Sequence, residues 1–167
     1  MKTTTKFFAS AVAAMALFFT TNVNAQKNLG FGLNLGVPTS DKYEFAVGGD
    51  VRLQFNLNEQ LSVPLTAGYT HITTGGGAST PNDFGYVPLK AGLKYFLNTT
   101  GSGAYALGEV GAAIGVSKDA GTSLLFSPAI GYSWSNGLDL SLKYEGMPRT
   151  LKNTDHVALR IAYGFEL

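Results

Sequence analysis

The sequence predicts an all-β protein: an eight-stranded antiparallel up-and-down β-barrel that crosses a membrane on its strands, preceded by a cleaved signal peptide. Three observations predict it. The 167 residues include only 14 % charged ones, where a soluble domain usually carries about 25 %, so much of the surface has somewhere other than water to lie. From Asn28 to Leu167, apolar residues recur with a period of two, the signal of a strand with two different faces. The alternating runs number eight, an even count, and tighter connections take turns with looser ones.

Composition excludes several classes. The chain has no cysteine, which rules out a disulfide framework, a thiolate metal site and a lipid-anchored cysteine. A formal charge of +1 without a basic run argues against nucleic acid as a partner.

Residues 1–25 read as an address. Lys2 and Lys6 form the positive start, Phe7 to Phe19 the apolar stretch, and Val23-Asn24-Ala25 the small residues before cleavage at Gln26. The 13 residues from Phe7 to Phe19 fall short of the roughly 20 that a membrane-crossing helix needs. The domain of interest is then 26–167. Its formal charge is −1, because cleavage removes two lysines from a chain of +1. No later apolar run is long enough for a spanning helix.

The strands follow in order. The first alternates Leu29, Phe31, Leu33, Leu35 and Val37 with Gly30, Gly32, Asn34 and Gly36. The second sets Phe45, Val47, Val51, Leu53, Phe55 and Leu57 against Ala46, Gly48, Asp50, Arg52, Gln54 and Asn56. The third sets Leu61, Val63, Leu65, Ala67 and Tyr69 against Ser62, Pro64, Thr66, Gly68 and Thr70. In the fourth, Val87, Leu89, Ala91, Leu93, Tyr95 and Leu97 oppose Tyr86, Pro88, Lys90, Gly92, Lys94 and Phe96.

The fifth, about Ala104 to Val116, is the least regular. Ala106, Val110, Ala112, Ile114 and Val116 share a face, which turns Tyr105, Leu107 and Glu109 the other way and leaves room for a register-shifting bulge. The sixth alternates Leu124, Phe126, Pro128, Ile130, Tyr132 and Trp134 with Ser127, Ala129, Gly131 and Ser133. The seventh alternates Leu138, Leu140, Leu142 and Tyr144 with Asp139, Ser141, Lys143 and Glu145. The eighth alternates Val157, Leu159, Ile161, Tyr163, Phe165 and Leu167 with Ala158, Arg160, Ala162, Gly164 and Glu166.

Asn58 to Gln60, Asn98 to Gly103 and Ser135 to Gly137 are the tight connections. Pro38 to Glu44, Thr73 to Asp83, Ser117 to Gly121 and Met147 to Asp155 are the looser ones, as in a meander with both termini at the periplasmic end. Pro64, Pro88 and Pro128 fall inside strands, where proline has no N–H for the ladder. Bulges or missing hydrogen bonds are expected there.

Alternation does not say which face is wet, but the polar set does. It is rich in Gly, Ala, Ser and Thr, which suit the cramped inside of an eight-stranded barrel better than a watery exterior. By parity, Arg52, Lys90, Lys94, Lys143 and Arg160 share this face with Asp50, Glu109, Asp139, Glu145 and Glu166. Enclosed charges are costly unless paired, so these ten residues are expected to form an inner salt-bridge network. The opposite orientation, apolar inside, describes a soluble secreted lipid-binding barrel.

Aromatic residues cluster at the strand ends. Phe55, Tyr95, Phe96, Tyr105, Tyr132, Trp134 and Phe165 lie near the short turns, and Tyr43, Phe45, Tyr69, Phe84, Tyr86 and Tyr144 near the longer loops. Two such groups are what two membrane interfaces select.

The terminal strand, with Tyr163, Phe165 and Leu167 at its end, resembles the C-terminal signal that the barrel assembly machinery reads in outer-membrane proteins, where the last residue is most often Phe. Together with Val87 to Phe96 and Tyr105 to Gly111, it makes the chain resemble the small outer-membrane β-barrels of the OmpX and OmpA-transmembrane-domain type. More specifically, the chain is similar to the short porin-like barrels of Bacteroidetes. The resemblance implies the cell outer membrane as location, outer-membrane lipid and the assembly machinery as partners, and no activity.

The residues offer little chemistry. Barrel lipid A deacylases carry a His-x-Ser pair, but Val157 and Ala158 follow His156. His71, Asp83 and Ser79 provide the residue types of a palmitoyltransferase barrel only as scattered loop residues. His71 and His156 read as polar rim residues on non-adjacent strands without a spaced third ligand, so no metal and no cofactor is expected. Gly75-Gly76-Gly77 lacks the Gly-Lys-Ser/Thr that would make a phosphate cradle. Asn98-Thr99-Thr100 matches a glycosylation triplet on a periplasmic turn and is discounted. The expected function is structural or surface-related, with the lumen plugged by charges and no catalysis. The alternatives are a narrow pore or a conduit for small hydrophobic solutes, resembling OmpW-like barrels, and the soluble carrier. No specific ligand is identified.

Overall fold

Strand pairing closes the chain on itself. A computed structural model describes residues 27–40, 43–74, 83–116, 121–148 and 155–167. The segment 1–25, the residues 75–82 with their three glycines, Ser79, and much of the other longer connections lie outside the described residues.

Eight strands follow one another: β1 (Lys27–Pro38), β2 (Tyr43–Asn56), β3 (Leu61–Thr74), β4 (Phe84–Phe96), β5 (Gly103–Gly115), β6 (Thr122–Ser133), β7 (Leu138–Glu145) and β8 (His156–Glu166). Each pairs antiparallel with the next, and β8 returns to β1 through a register running from Asn28↔Glu166 to Pro38↔His156. The result is a closed eight-stranded barrel. Closure leaves no edge strand, so every strand has a partner strand on each side.

The apolar set points outward. Leu33 and Ile130 are 69 % and 65 % exposed, while Ser127 and Glu145 on the opposite parity are fully buried. This is the inverse of a carrier barrel. The connections 39–42 and 116–121 are no longer than the turns at the other end, so the contrast in loop length rests on 75–83 and 146–155.

The three strand prolines act by omission, without shifting register. The β3–β4 ladder holds one register from Leu61↔Tyr95 to Ile72↔Phe84, but the pairs expected at Pro64–Gly92 and Gly68–Pro88 are absent. The Phe96 N–H donates to the Gln60 carbonyl at 2.8 Å, so even-numbered β3 residues occupy the hydrogen-bonded positions. Each proline thus removes a bond where an N–H is required. Pro128 does the same between β6 and β7. The ladder stops at Ala129↔Lys143 and resumes as one bridge, Phe126↔Gly146.

The bulge anticipated in β5 is absent. Its registers with β4 and β6 are continuous, because Tyr105, Leu107 and Glu109 are inward residues in regular alternation. Tyr105 and Leu107 pack there with Phe96 and Ala129. The only register shift in β2 lies at Tyr43/Phe45, where the strand emerges from its loop.

Four rings assigned to the interfacial groups are inside the barrel. Tyr43 and Tyr86 belong to an apolar layer at the long-loop end with Ala46, Ile72, Ala113, Leu125 and Met147. Phe96 and Tyr105 lie nearer the short turns. The charged side chains lie between these two groups.

Candidate functional site

The candidate site is the lumen, built by the inward parity of each strand. Bare positions make room for long side chains. A Cβ at Gly32 would lie 2.7 Å from Nε and Nη2 of Arg160, and one at Gly92 would meet the Gly108 carbonyl and the Glu109 side chain. Glycine on β1 and β4 is therefore what lets charged residues of β8 and β5 lie flat across the interior.

The charges form two arrays. Nearer the short turns, Arg160 grips Asp50 with two prongs, Nη2 donating to Oδ1 at 2.6 Å and Nε to Oδ2 at 2.9 Å. Asn34 donates to the same carboxylate at 2.8 Å. Arg160 also reaches Asp139 at 3.4 Å, and Lys94 pairs with Asp139 at 2.9 Å. Tyr105 donates its hydroxyl to Asp139 at 2.8 Å, and the Lys94 ammonium sits 3.9 Å from the Tyr105 ring centroid.

Nearer the long loops, Glu109 pairs with Arg52 and Lys90, both at 3.3 Å, and accepts from the Thr66 hydroxyl at 2.6 Å. Glu145 binds Lys90 at 2.5 Å, Lys143 at 2.8 Å and the Tyr86 hydroxyl at 2.6 Å. Five cations and four carboxylates are buried in this way. Enclosure makes such contacts mutually dependent, since removing one partner strands a charge away from water.

Glu166 keeps the inward parity and lines the short-turn cavity but stands apart from the ion pairs. It is exposed at the short-turn opening, because β8 ends there against Asn28, and no ion pair among the described residues reaches it. His156 departs from the rim. It is 1 % exposed, with Nε2 3.7 Å from Glu145. His71 does lie at the rim, with Nε2 3.5 Å from Asp83 Oδ2 and Nδ1 3.4 Å from the Tyr69 hydroxyl. No group of three metal-ligating side chains occurs among the described residues.

Tyr86, Tyr105, Asn34, Thr66 and His156 are members of these arrays that charge parity alone overlooks. The alternation carries the signal for four of them: Asn34, Thr66 and Tyr86 stand on the polar side of their runs, and Tyr105 opposite the apolar side of the fifth.

The short-turn end holds a cavity of about 570 Å³. Asn28, Gln54 and Asn56 form its polar wall, Trp134 stands at its mouth, and Arg52, Lys94 and Arg160 lie at its floor. It exists because β8 turns only Ala162 and Gly164 inward at this level, opposite the Gly30 of β1.

No family model and no curated protein matches the chain. Among solved structures, it is similar to the outer membrane protein Ail of Yersinia pestis in a phospholipid bilayer nanodisc. Identity is 16 %, 85 % of this chain and 100 % of that one are covered, and the TM-score is 0.61. It is also similar to the de novo designed barrel TMB2.3, at 14 % identity, with 84 % and 95 % covered and a TM-score of 0.56. A structure from the de novo design of transmembrane β-barrels gives 16 % identity, 83 % and 95 % coverage and a TM-score of 0.54. Likeness at such identities speaks for the fold alone: the chain has the closed eight-stranded antiparallel architecture of small transmembrane β-barrels.

Proposed function

We propose that this protein is a non-conducting outer-membrane β-barrel with a structural or surface role and no catalytic activity. The observation that carries this reading is the filled lumen. Glu145 is clasped by Lys90 and Lys143 in mid-barrel, and next to it Tyr86, Ile72, Ala113 and Leu125 have no exposed surface. Eight strands leave an interior just wide enough for side chains, and here they fill it. The outward belt of Leu, Ile, Val and aromatic residues supplies the attachment to outer-membrane lipid.

The reading includes removal of residues 1–25 on export. It also includes recognition of the terminal strand, with Tyr163, Phe165 and Leu167, by the barrel assembly machinery. Leu167 is anchored beside β1, its N–H donating to the Lys27 carbonyl at 2.8 Å, and Tyr163 and Phe165 face outward. A narrow conduit needs a continuous path, whereas the lining of the short-turn cavity includes none of Lys90, Lys143 and Glu145, which meet in mid-barrel.

The test is reconstitution of the purified mature protein in planar bilayers. The expected outcome is no single-channel steps, together with faster migration of the unboiled protein on an SDS gel. Steady conductance from protein with that folded mobility overturns the plugged-lumen reading.

A further inference from the structure

The short-turn cavity has a chemistry of its own. Three cations, Arg52, Lys94 and Arg160, line it against two carboxylates, Asp139 beside them and Glu166 out at the exposed opening. The other partners of these cations, Asp50 and Glu109, lie outside the lining. The balance of charge facing the cavity is therefore positive, although the lumen behind it is nearly neutral. An excess of one sign of charge between low-dielectric walls concentrates ions of the opposite sign.

Arg52 is the second and independent observation. It is 6 % exposed, donates from Nε to Thr66 at 3.1 Å and from Nη2 to Glu109 at 3.3 Å, and its Nη1 is buried with no hydrogen-bond partner. An unpaired guanidinium donor in the interior is an unmet demand for an acceptor. The geometry of a guanidinium favours carboxylate or phosphate oxygens in particular.

The wall fits a polar solute as well as a bare anion. Gln54, Asn56 and Asn28 are linked side chain to side chain, Gln54 Nε2 to Asn56 Oδ1 at 2.7 Å and Asn56 Nδ2 to Asn28 Oδ1 at 3.0 Å. This holds their polar edges along one side of the cavity. The volume of about 570 Å³ falls within the roughly 300–1,000 Å³ usual for small-molecule sites. We propose that the short-turn cavity binds a small polar solute bearing a phosphate or carboxylate, with Arg52 receiving the anionic group and the Asn28–Gln54–Asn56 wall receiving the rest.

Trp134 lies at the mouth and is the chain's only tryptophan, so its fluorescence reports occupancy. The full-length mature protein in phosphatidylcholine nanodiscs is titrated with glucose 6-phosphate, with glucose as the uncharged control, and the heat of binding is measured in parallel. The expected result is a saturable Trp134 shift with glucose 6-phosphate and none with glucose. Arg52→Gln should weaken binding about tenfold or more.

Because Arg52 also belongs to the lumen arrays, Gly164→Leu supplies a second variant. A Cβ at Gly164 meets nothing closer than 3.7 Å, so the leucine projects into the cavity and leaves every ion pair in place. It should abolish the shift while the unboiled gel mobility stays that of a folded barrel. Repeating the titration with phosphatidylglycerol in the nanodisc separates two sources of the anion: competition assigns the site to a lipid headgroup, and its absence to a free solute. The proposal is overturned if the wild type shows no saturable response up to about 10 mM glucose 6-phosphate. It is equally overturned if glucose binds as well, or if folded Gly164→Leu binds like the wild type.

Discussion

Gly32 has no side chain, and the Arg160 guanidinium occupies the space that one would fill, 2.7 Å from where a Cβ would lie. The guanidinium is the far end of a flexible chain, yet it is pinned by two bonds to Asp50 and has little freedom to retreat. Gly32→Val should therefore unseat Arg160 and leave Asp50 facing only Asn34. A stranded buried charge costs about 3–5 kcal/mol, readable as a fall in urea midpoint for the barrel in lipid vesicles. Gly164→Ala, whose Cβ would make only ordinary contacts at 3.7 Å and beyond, should stay within about 0.5 kcal/mol of the parent in the same assay. A smaller loss is expected for Tyr86→Phe, which removes one donor from Glu145 but leaves both lysines: about 1.5–3 kcal/mol. At this scale the sequence was partly legible. Parity gives the face of Arg52 or Glu145 because side chains alternate strictly along a strand. It does not give partners, since Asp50 and Arg160 are 110 residues apart and meet only through barrel closure. Tyr86 and Phe96 stand on the polar side of their run, but as rings at a strand end they carry the same signal as an interfacial belt. Only burial separates the two.

The proline positions show what a strand can lose and still hold register. Each of Pro64, Pro88 and Pro128 interrupts one ladder and leaves the other flank of its strand paired. The sequence announces the missing donors but not their consequence, because bulge and gap both answer a missing N–H. The intact ladders on either side decide for the gap. Strand limits were less legible: β3 runs on to Thr74 and β2 starts at Tyr43, beyond the apolar alternation, because Tyr43↔Thr74 and Ala46↔Ile72 continue the pairing. Pro128 offers a clean test, since it faces outward and a new side chain there disturbs nothing in the lumen. Its position opposite Tyr144 falls two residues from the Phe126–Gly146 bonded pair, so a donor at 128 meets the Tyr144 carbonyl. Pro128→Val should add that bond and raise stability by about 1 kcal/mol. It should also slow amide exchange in the flanking residues of β6 and β7. Unchanged exchange at residues 127–129 and 143–145 would show that the gap has a cause other than the missing N–H.

For the molecule as a whole, the low charge content and the outward apolar face are one fact. The buried arrays absorb charges that a soluble domain would display, and the surface freed of them is apolar from β1 around to β8. Such an expanse in water marks an interaction surface or an aggregation liability; against acyl chains it is the ordinary exterior of a barrel. Leu33 and Leu97 separate these environments. Their exposures are nearly equal, 69 % and 68 %, so in water a lysine at either position should change stability by no more than about 0.5 kcal/mol. In a bilayer their depths differ. Leu33 sits mid-strand in β1, opposite Gly49 and Ile161, whereas Leu97 follows the end of β4 at a short turn. Leu33→Lys should then cost about 2–4 kcal/mol and Leu97→Lys about 0–1 kcal/mol, measured as unfolding free energies in lipid vesicles. Depth is the only property of the two sites that produces such a contrast, so equal and small effects would mean that the belt does not face lipid.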